Sequence, residues 1–228
     1  SVVAPVGGST LGENPVFEAQ VTGDAKIKQV DFIGLYEDFN WEGDGEYRQW
    51  HYRTLFGEIA SHMGTAKAAP YQVTWNTRWI PDQAAPISVM ARIVDETNLC
   101  YLTPAVDGLK LERARRVVMC KPYDVPPRWS TRANKTHQCK VDVPDLAGAA
   151  EAQIVMCTWN GVAADEIGVN GKKVITNLGQ NHDLSYDAFP VPLELLQEGE
   201  NTLYTASDTE AHGIEVQWPG MVLMIAYE

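Results

Sequence analysis

The chain has 228 residues, 45% hydrophobic and 21% charged, which is the composition of a folded globular protein. Eighteen Lys and Arg stand against 30 Asp and Glu, and the net charge of −12 disfavours nucleic-acid phosphates and anionic membranes as partners. The longest apolar run, Met221 to Ala226, is far shorter than the roughly 20 residues that span a bilayer. We therefore expect no nucleic-acid partner and no membrane insertion. The chain opens at Ser1 without a signal peptide, so we expect a mature or excised segment.

Apolar residues in the first half of the chain alternate with polar ones, which is the period of half-buried strands. Helix signals are nearly absent, whereas turn formers are frequent, with 18 Gly and 13 Pro. Many short strands separated by turns are typical of β-sandwiches or barrels. The strands predicted before residue 122 span residues 16–21, 27–36, 71–76, 87–95, 100–103 and 109–121.

Three prolines interrupt this pattern between Pro122 and Pro127. Proline lacks a backbone N–H and favours extended connectors, so a domain boundary is expected here. The sequence then predicts two domains, residues 1–121 and residues 122–228. Each is large enough for a small β-sandwich.

Three segments of the first domain carry a family resemblance, namely residues 30–32, 70–77 and 87–95. They resemble strands of the bacterial Ig-like modules that are appended to secreted enzymes. The resemblance implies an Ig-like β-sandwich in a secreted or cell-surface protein that is fused to further domains. It breaks down over about residues 37–69, where an insertion rich in acidic and aromatic residues replaces a short connection.

Two motifs of the second domain, residues 167–174 and 191–203, resemble those of the galactose-binding-like jelly roll. Asn170-Gly171 is also a strong two-residue hairpin turn in its own right, because both residue types accept positive φ. The jelly roll is an accessory sandwich of many glycoside hydrolases. The expected fold class is all-β, with two antiparallel β-sandwiches in tandem, Ig-like and then galactose-binding-like.

Aromatic, imidazole, amide and carboxylate side chains fall at predicted strand ends of the second domain. Aromatic rings stack on sugar faces, while amides and carboxylates hold the hydroxyls, so this mixture suits glycan binding. The alternative is that the tryptophans only pack and the acids only solubilise. The candidate ligand-binding residues are Trp159, Asn160, His182, Asp183, His212 and Trp218.

Two acidic segments are candidates for a structural Ca²⁺ site. Asp38, Asn40, Glu42 and Asp44 fall at every second position, which can direct oxygens at one hard cation, although a solvated hairpin explains the same pattern. The jelly-roll resemblance implies an ion near a sheet edge, with Asp208 and Glu210 as candidate ligands.

The four cysteines, Cys100, Cys120, Cys139 and Cys157, lie in strand-like runs without a CxxC pair, so a zinc site is not expected. Buried free thiols are one interpretation, and a Cys139–Cys157 bridge is the next.

No motif of a catalytic site is found, and no catalytic residue is predicted. The leading hypothesis is a non-catalytic accessory region of a secreted carbohydrate-active protein, which binds a polysaccharide or glycan through the jelly roll. The alternatives are a small lyase or glycosidase with its site between the domains, or a purely structural or adhesive tandem.

Overall fold

The computed structural model describes all 228 residues, and nearly all of its regular structure is β-strand. The chain forms two compact units. Unit 1 consists of Ser1–Asp38 and Tyr47–Ala114, and unit 2 of Phe39–Glu46 and Arg115–Glu228. The chain has no helix with the length and hydropathy of a membrane span. The predicted all-β sandwich fold is confirmed.

Unit 1 contains twelve strands. In chain order they are β1 (Val2–Ala4), β2 (Thr10–Leu11), β3 (Val16–Ala19), β4 (Ile27–Glu37), β5 (Arg48–His51), β6 (Arg53–Leu55), β7 (Glu58–Ala60), β8 (Gly64–Ala66), β9 (Tyr71–Thr74), β10 (Ile87–Asp95), β11 (Cys100–Leu102) and β12 (Val106–Leu111). One sheet has the order β1-β3-β9. The other has the order β2-β12-β10-β4-β5, with β8 on β4 and β11 on β10, while β6 and β7 form a separate hairpin.

The core of unit 1 is built on the pairing of β4 with β10. Phe32 lies opposite Ala91 and Val30 opposite Ile93, and all four are buried. The alternation of apolar and polar residues that predicted these strands therefore corresponds to a strand face that points into the core. The bounds of β10 agree with the prediction at both ends.

Unit 2 contains ten strands and two short 3₁₀ turns, at Gly161–Ala163 and Leu193–Leu195. In chain order the strands are β13 (Arg116–Cys120), β14 (Ser130–Thr131), β15 (Lys135–Val143), β16 (Ala149–Trp159), β17 (Glu166–Val169), β18 (Lys172–Ile175), β19 (Leu184–Pro190), β20 (Gly199–Ser207), β21 (Ile214–Val216) and β22 (Val222–Tyr227). A six-stranded sheet has the order β13-β22-β16-β21-β14, with β19 also on β16. A four-stranded sheet has the order β15-β20-β17-β18.

The strand predicted over residues 109–121 is wrong, because two strands occupy this stretch. β12 ends at Leu111, and β13 begins at Arg116. β13 pairs antiparallel with β22, from Arg116 opposite Tyr227 to Cys120 opposite Leu223. These hydrogen bonds assign β13 to unit 2, so the units divide between Ala114 and Arg115 instead of within the proline segment.

The core of unit 2 lies between its two sheets. Ile154 and Met156 of β16 and Leu203 of β20 are completely buried in it. Side chains alternate along a strand, so Trp159, an odd number of residues from Met156, faces the opposite side of the sheet. The predicted hairpin between β17 and β18 is confirmed, with φ of 49° at Asn170 and 72° at Gly171.

All four cysteines are free, and Cys120, Cys139 and Cys157 are buried. The Cys139–Cys157 bridge is absent, and the two residues lie in different sheets of unit 2. Burial raises the pKa of the Cys139 thiol to about 12, so it remains protonated and behaves as a small apolar side chain. Cys100 of unit 1 is exposed.

Candidate functional site

Three rings meet at the surface of unit 2. The Trp159 ring centroid lies 5.6 Å from that of His182 and 6.0 Å from that of His212, and the two imidazoles are 5.1 Å apart. Trp159 is half-buried, whereas both imidazoles are exposed. The structure therefore gathers residues that are far apart in sequence into one group, which we call the ring cluster.

Asn160 holds the two loops that carry the imidazoles. Its side-chain Oδ1 accepts a hydrogen bond from His182 N at 3.0 Å, and its Nδ2 donates to His212 O. Its backbone N donates to Asp183 O at 3.1 Å. Only 3% of Asn160 is exposed, so this amide acts as a buried clamp beneath the ring cluster. Asn160 and Asp183, both predicted site residues, thus adjoin the ring cluster through these hydrogen bonds.

The backbone at the ring cluster adopts an uncommon conformation at three positions. Asn160, His182 and His212 have φ of 54°, 51° and 54°, in the left-handed region. Asn and His enter this region more readily than other non-glycine residues, but they do so at some energetic cost. Nine other non-glycine residues, in both units, also have positive φ, so this conformation alone does not mark a site.

A row of outward side chains crosses the six-stranded sheet beside the ring cluster. Trp159 of β16 lies opposite Glu215 of β21, and Glu215 lies opposite Ser130 of β14. Ile214 and Val216 belong to the core, so Glu215 between them faces outward. The row therefore extends from the ring cluster to the edge of the sheet.

Trp218, the remaining predicted ligand-binding residue, is not part of the ring cluster. It lies in the turn after β21, is 51% exposed and lines a groove of about 270 Å³. Gly43 packs against it, since a Cβ added at Gly43 would lie 3.3 Å from the Trp218 side chain. The groove is also lined by residues 125–130 and 215–217.

The segment Phe39–Glu46, part of the predicted insertion, packs within unit 2. Phe39 is 1% exposed and lies edge-to-face with Tyr186 of β19 at 5.3 Å between centroids. Trp41 also contacts Tyr186. These rings give the acidic and aromatic segment a packing role.

The predicted calcium ligands do not converge in the structure. Asn40 Oδ1 accepts from Gly43 N and Asp44 Oδ1 from Glu46 N, both at 2.9 Å, so these oxygens close local turns. Asp38 belongs to unit 1, and Asp208 and Glu210 are exposed. No three His, Cys, Asp or Glu side chains come together in a way that could hold a metal ion. The calcium site stays a prediction.

Sequence reasoning did not place Arg128, Glu215 and Gln217 beside Trp218. These residues share one groove because β14 pairs with β21, from segments more than 80 residues apart in the chain. Both strands are too short to give an alternation signal. Nothing in the sequence therefore marks their pairing.

No protein-family model matches the chain, and no curated protein matches it by sequence. Among solved structures, BuGH86 in complex with neoagarooctaose is 17% identical, with a TM-score of 0.39 over 93% of this chain. A β-porphyranase of glycoside hydrolase family 86 from Bacteroides plebeius is 15% identical, with a TM-score of 0.38 over 89% of this chain. This chain spans 30% of the length of each of these two proteins.

The fibronectin(III)-like modules of Clostridium thermocellum CbhA are similar to this chain along almost their whole length. They are 11% identical, with a TM-score of 0.30, and the match covers 92% of this chain and 95% of theirs. Similarities of this size identify no ligand and no activity for this chain.

Proposed function

We propose that unit 2 binds glycan at the ring cluster, and that the chain is a non-catalytic accessory region of a secreted carbohydrate-active protein. The observation that carries the proposal is the ring cluster itself, in which the buried Asn160 amide holds the backbone of the two loops that carry the imidazoles beside Trp159. Loops held in advance lose little conformational entropy when a ligand binds. An apolar sugar face packs on the indole, and hydroxyls bond to the imidazoles.

The His182 side chain is oriented for this role. Its Nδ1 lies 2.8 Å from Asn181 Oδ1, which can only accept, so Nδ1 donates. In the neutral imidazole, Nε2 is then the acceptor, and it suits a sugar hydroxyl that donates. The exposed position of His182 leaves room for such a ligand.

The carboxylate at the ring cluster is engaged by the backbone. Asp183 Oδ1 accepts from Leu184 N at 2.7 Å, which ties it to its own loop. Glycoside hydrolysis usually requires two opposed carboxylates, one as acid and one as base or nucleophile. Asp183 and Glu215 are the two carboxylates beside the ring cluster, and the proposal assigns both of them to ligand binding. Release of reducing or unsaturated ends from a polysaccharide panel would overturn the non-catalytic part of the proposal.

Removal of the indole tests the binding role. Trp159→Ala should weaken glycan binding roughly 2- to 12-fold, because an aromatic contact contributes about 0.5–1.5 kcal/mol beyond area burial. Binding is screened with neoagarooctaose, the sugar in the BuGH86 complex, together with cello-, xylo- and manno-oligosaccharides. Calorimetry on the sugars that bind then gives the affinities.

Phe56→Ala is the matched control, because Phe56 is an exposed aromatic residue that belongs to unit 1 and lies outside the ring cluster. It should leave affinity unchanged. If Trp159→Ala remains folded and binds a recognised glycan as tightly as the parent protein, the ring cluster is not the binding site.

A further inference from the structure

We propose that the groove beside Trp218 is a second sugar-contact point on the same ligand path, so that unit 2 takes an extended neutral oligosaccharide. This inference rests on the proposed function. His212 precedes β21, Glu215 lies within it and Trp218 follows it. At about 3.3 Å per residue, the path from His212 to Trp218 is at most about 20 Å, the length of about four sugar units.

The path is continuous on the outer side of the sheet. Trp159 of the ring cluster lies opposite Glu215, and Glu215 also lines the groove. One outward carboxylate is thus shared by both ends of the path. A chain of sugars that leaves the ring cluster along β21 would reach Trp218 without crossing the core.

The walls of the groove carry the side chains that recognise sugars. Trp218 offers a half-exposed indole, and Arg128, Gln217 and Glu215 supply donors and acceptors. Arg128 is exposed on the wall of the groove, in a chain with a net charge of −12. Its guanidinium is available to donate to ligand oxygens.

The ligand is inferred to be neutral because of Glu215. A carboxylate on the groove wall accepts from sugar hydroxyls but repels a uronate or sulfate group at the same place. Arg128 on the same wall then donates to neighbouring oxygens of the same sugar.

The Trp218 ring is supported from behind. Gly43 has φ of +67°, and a Cβ there would be 3.3 Å from both the side chain and the backbone O of Trp218. A Cβ at this distance would require Trp218 to shift by a few tenths of an ångström. Trp129, on the inner side of the groove, is 5% exposed and donates from Nε1 to Thr205 Oγ1 at 2.7 Å. Both contacts preorganise the groove.

The test is a comparison of ligand lengths. Disaccharides, tetrasaccharides and hexasaccharides of the neoagaro, cello, xylo and manno series are titrated into the parent protein, Trp159→Ala and Trp218→Ala. We expect the parent protein to gain about tenfold in affinity from disaccharide to tetrasaccharide, within the range of one added aromatic contact. Trp218→Ala should lose that gain and retain disaccharide binding, whereas Trp159→Ala should weaken every length.

The outcomes separate the two proposals. If no series binds the parent protein, both the proposed function and this inference fail. If binding depends on Trp159 but not on length, or if Trp218→Ala keeps the full length dependence, only this inference fails. Tighter binding of an oligogalacturonate than of every neutral tetrasaccharide would overturn the neutral ligand.

A glycine pair supplies an independent test that mutates no residue lining the groove. Gly43→Ala should displace Trp218 and reduce tetrasaccharide affinity. Gly45→Ala is the control, since Gly45 also has positive φ, at +94°, but no atom lies within 4 Å of an added Cβ. Equal effects of the two substitutions would show that the contact with Trp218 does not matter for binding.

Discussion

The two units use histidine and aromatic rings in opposite ways. In unit 1, His51 stacks on Tyr36 with centroids 4.1 Å apart, and Tyr36 packs on Trp75 at 5.0 Å, all of them buried. In unit 2, the two histidine loops of the ring cluster are held at the surface by the Asn160 amide, which accepts from His182 N and donates to His212 O. Rings in a core are fixed by packing on every side. At the ring cluster the loops are held by polar contacts of Asn160, and one side of the rings stays exposed to solvent.

The largest expected difference between the two units is in stability. Trp75→Ala should lower the free energy of unfolding of unit 1 by about 3–5 kcal/mol, because it removes a buried indole and leaves a cavity. Trp159→Ala should cost unit 2 much less. Urea denaturation monitored by circular dichroism gives both values. If the two substitutions cost the same, Trp159 is a core residue and the contrast between the units is wrong.

A pH titration sharpens the contrast between the histidines. Burial lowers the pKa of His51 from its ordinary value of 6.5 to about 4. Between these values the unfolded chain binds a proton and the folded unit does not, so stability falls as pH falls through this window. The loss is on the order of 3–4 kcal/mol at most, from about 1.4 kcal/mol for each pKa unit.

The substitution that checks this is His51→Gln, which keeps a donor for Tyr36 O, the partner of His51 Nε2 at 2.9 Å. It should flatten the dependence of unit 1 stability on pH between 6.5 and 4. His182→Gln, at an exposed position, is the control and should leave it unchanged. An equal slope in all three proteins would contradict the assignment to His51.

The smallest effect is expected from calcium. The predicted ligands Asp38, Asn40 and Asp44, or Asp208 and Glu210, do not come together as a site. An ion that binds only the folded state raises the melting temperature by mass action. We therefore expect only a small rise between EDTA and millimolar calcium. A rise of several degrees would mean that the ligands gather when the ion binds.

Local patterns in the sequence predicted the parts of the fold that depend on local physics. The alternation over β10 and the Asn170-Gly171 turn needed only neighbouring residues, and both are found. The break between β12 and β13 was missed because it depends on pairing with β22, more than 100 residues away. Alternation reports which residues face inward, but not which strand lies alongside.

The candidate site was likewise predictable only in part. Trp159 and His182 were selected by residue type and strand ends, and the structure brings them together. The separate position of Trp218 and its neighbour Gly43 was not predictable, because the segment Phe39–Glu46 belongs to unit 2 although it lies within the sequence of unit 1. Neither the spacing of apolar residues nor a turn motif in the sequence indicates that this segment packs in unit 2.

The position of β22 also affects how the protein is made. This strand lies in the middle of its sheet, between β13 and β16, although it follows every other strand of unit 2 in the chain. The sheets of unit 1, by contrast, are complete once the ribosome has passed Leu111. During translation, the edges of β13 and β16 that pair with β22 therefore remain unpaired until β22 has been synthesised. This is the interval in which a nascent chain is open to edge-to-edge aggregation, and in which chaperones protect it.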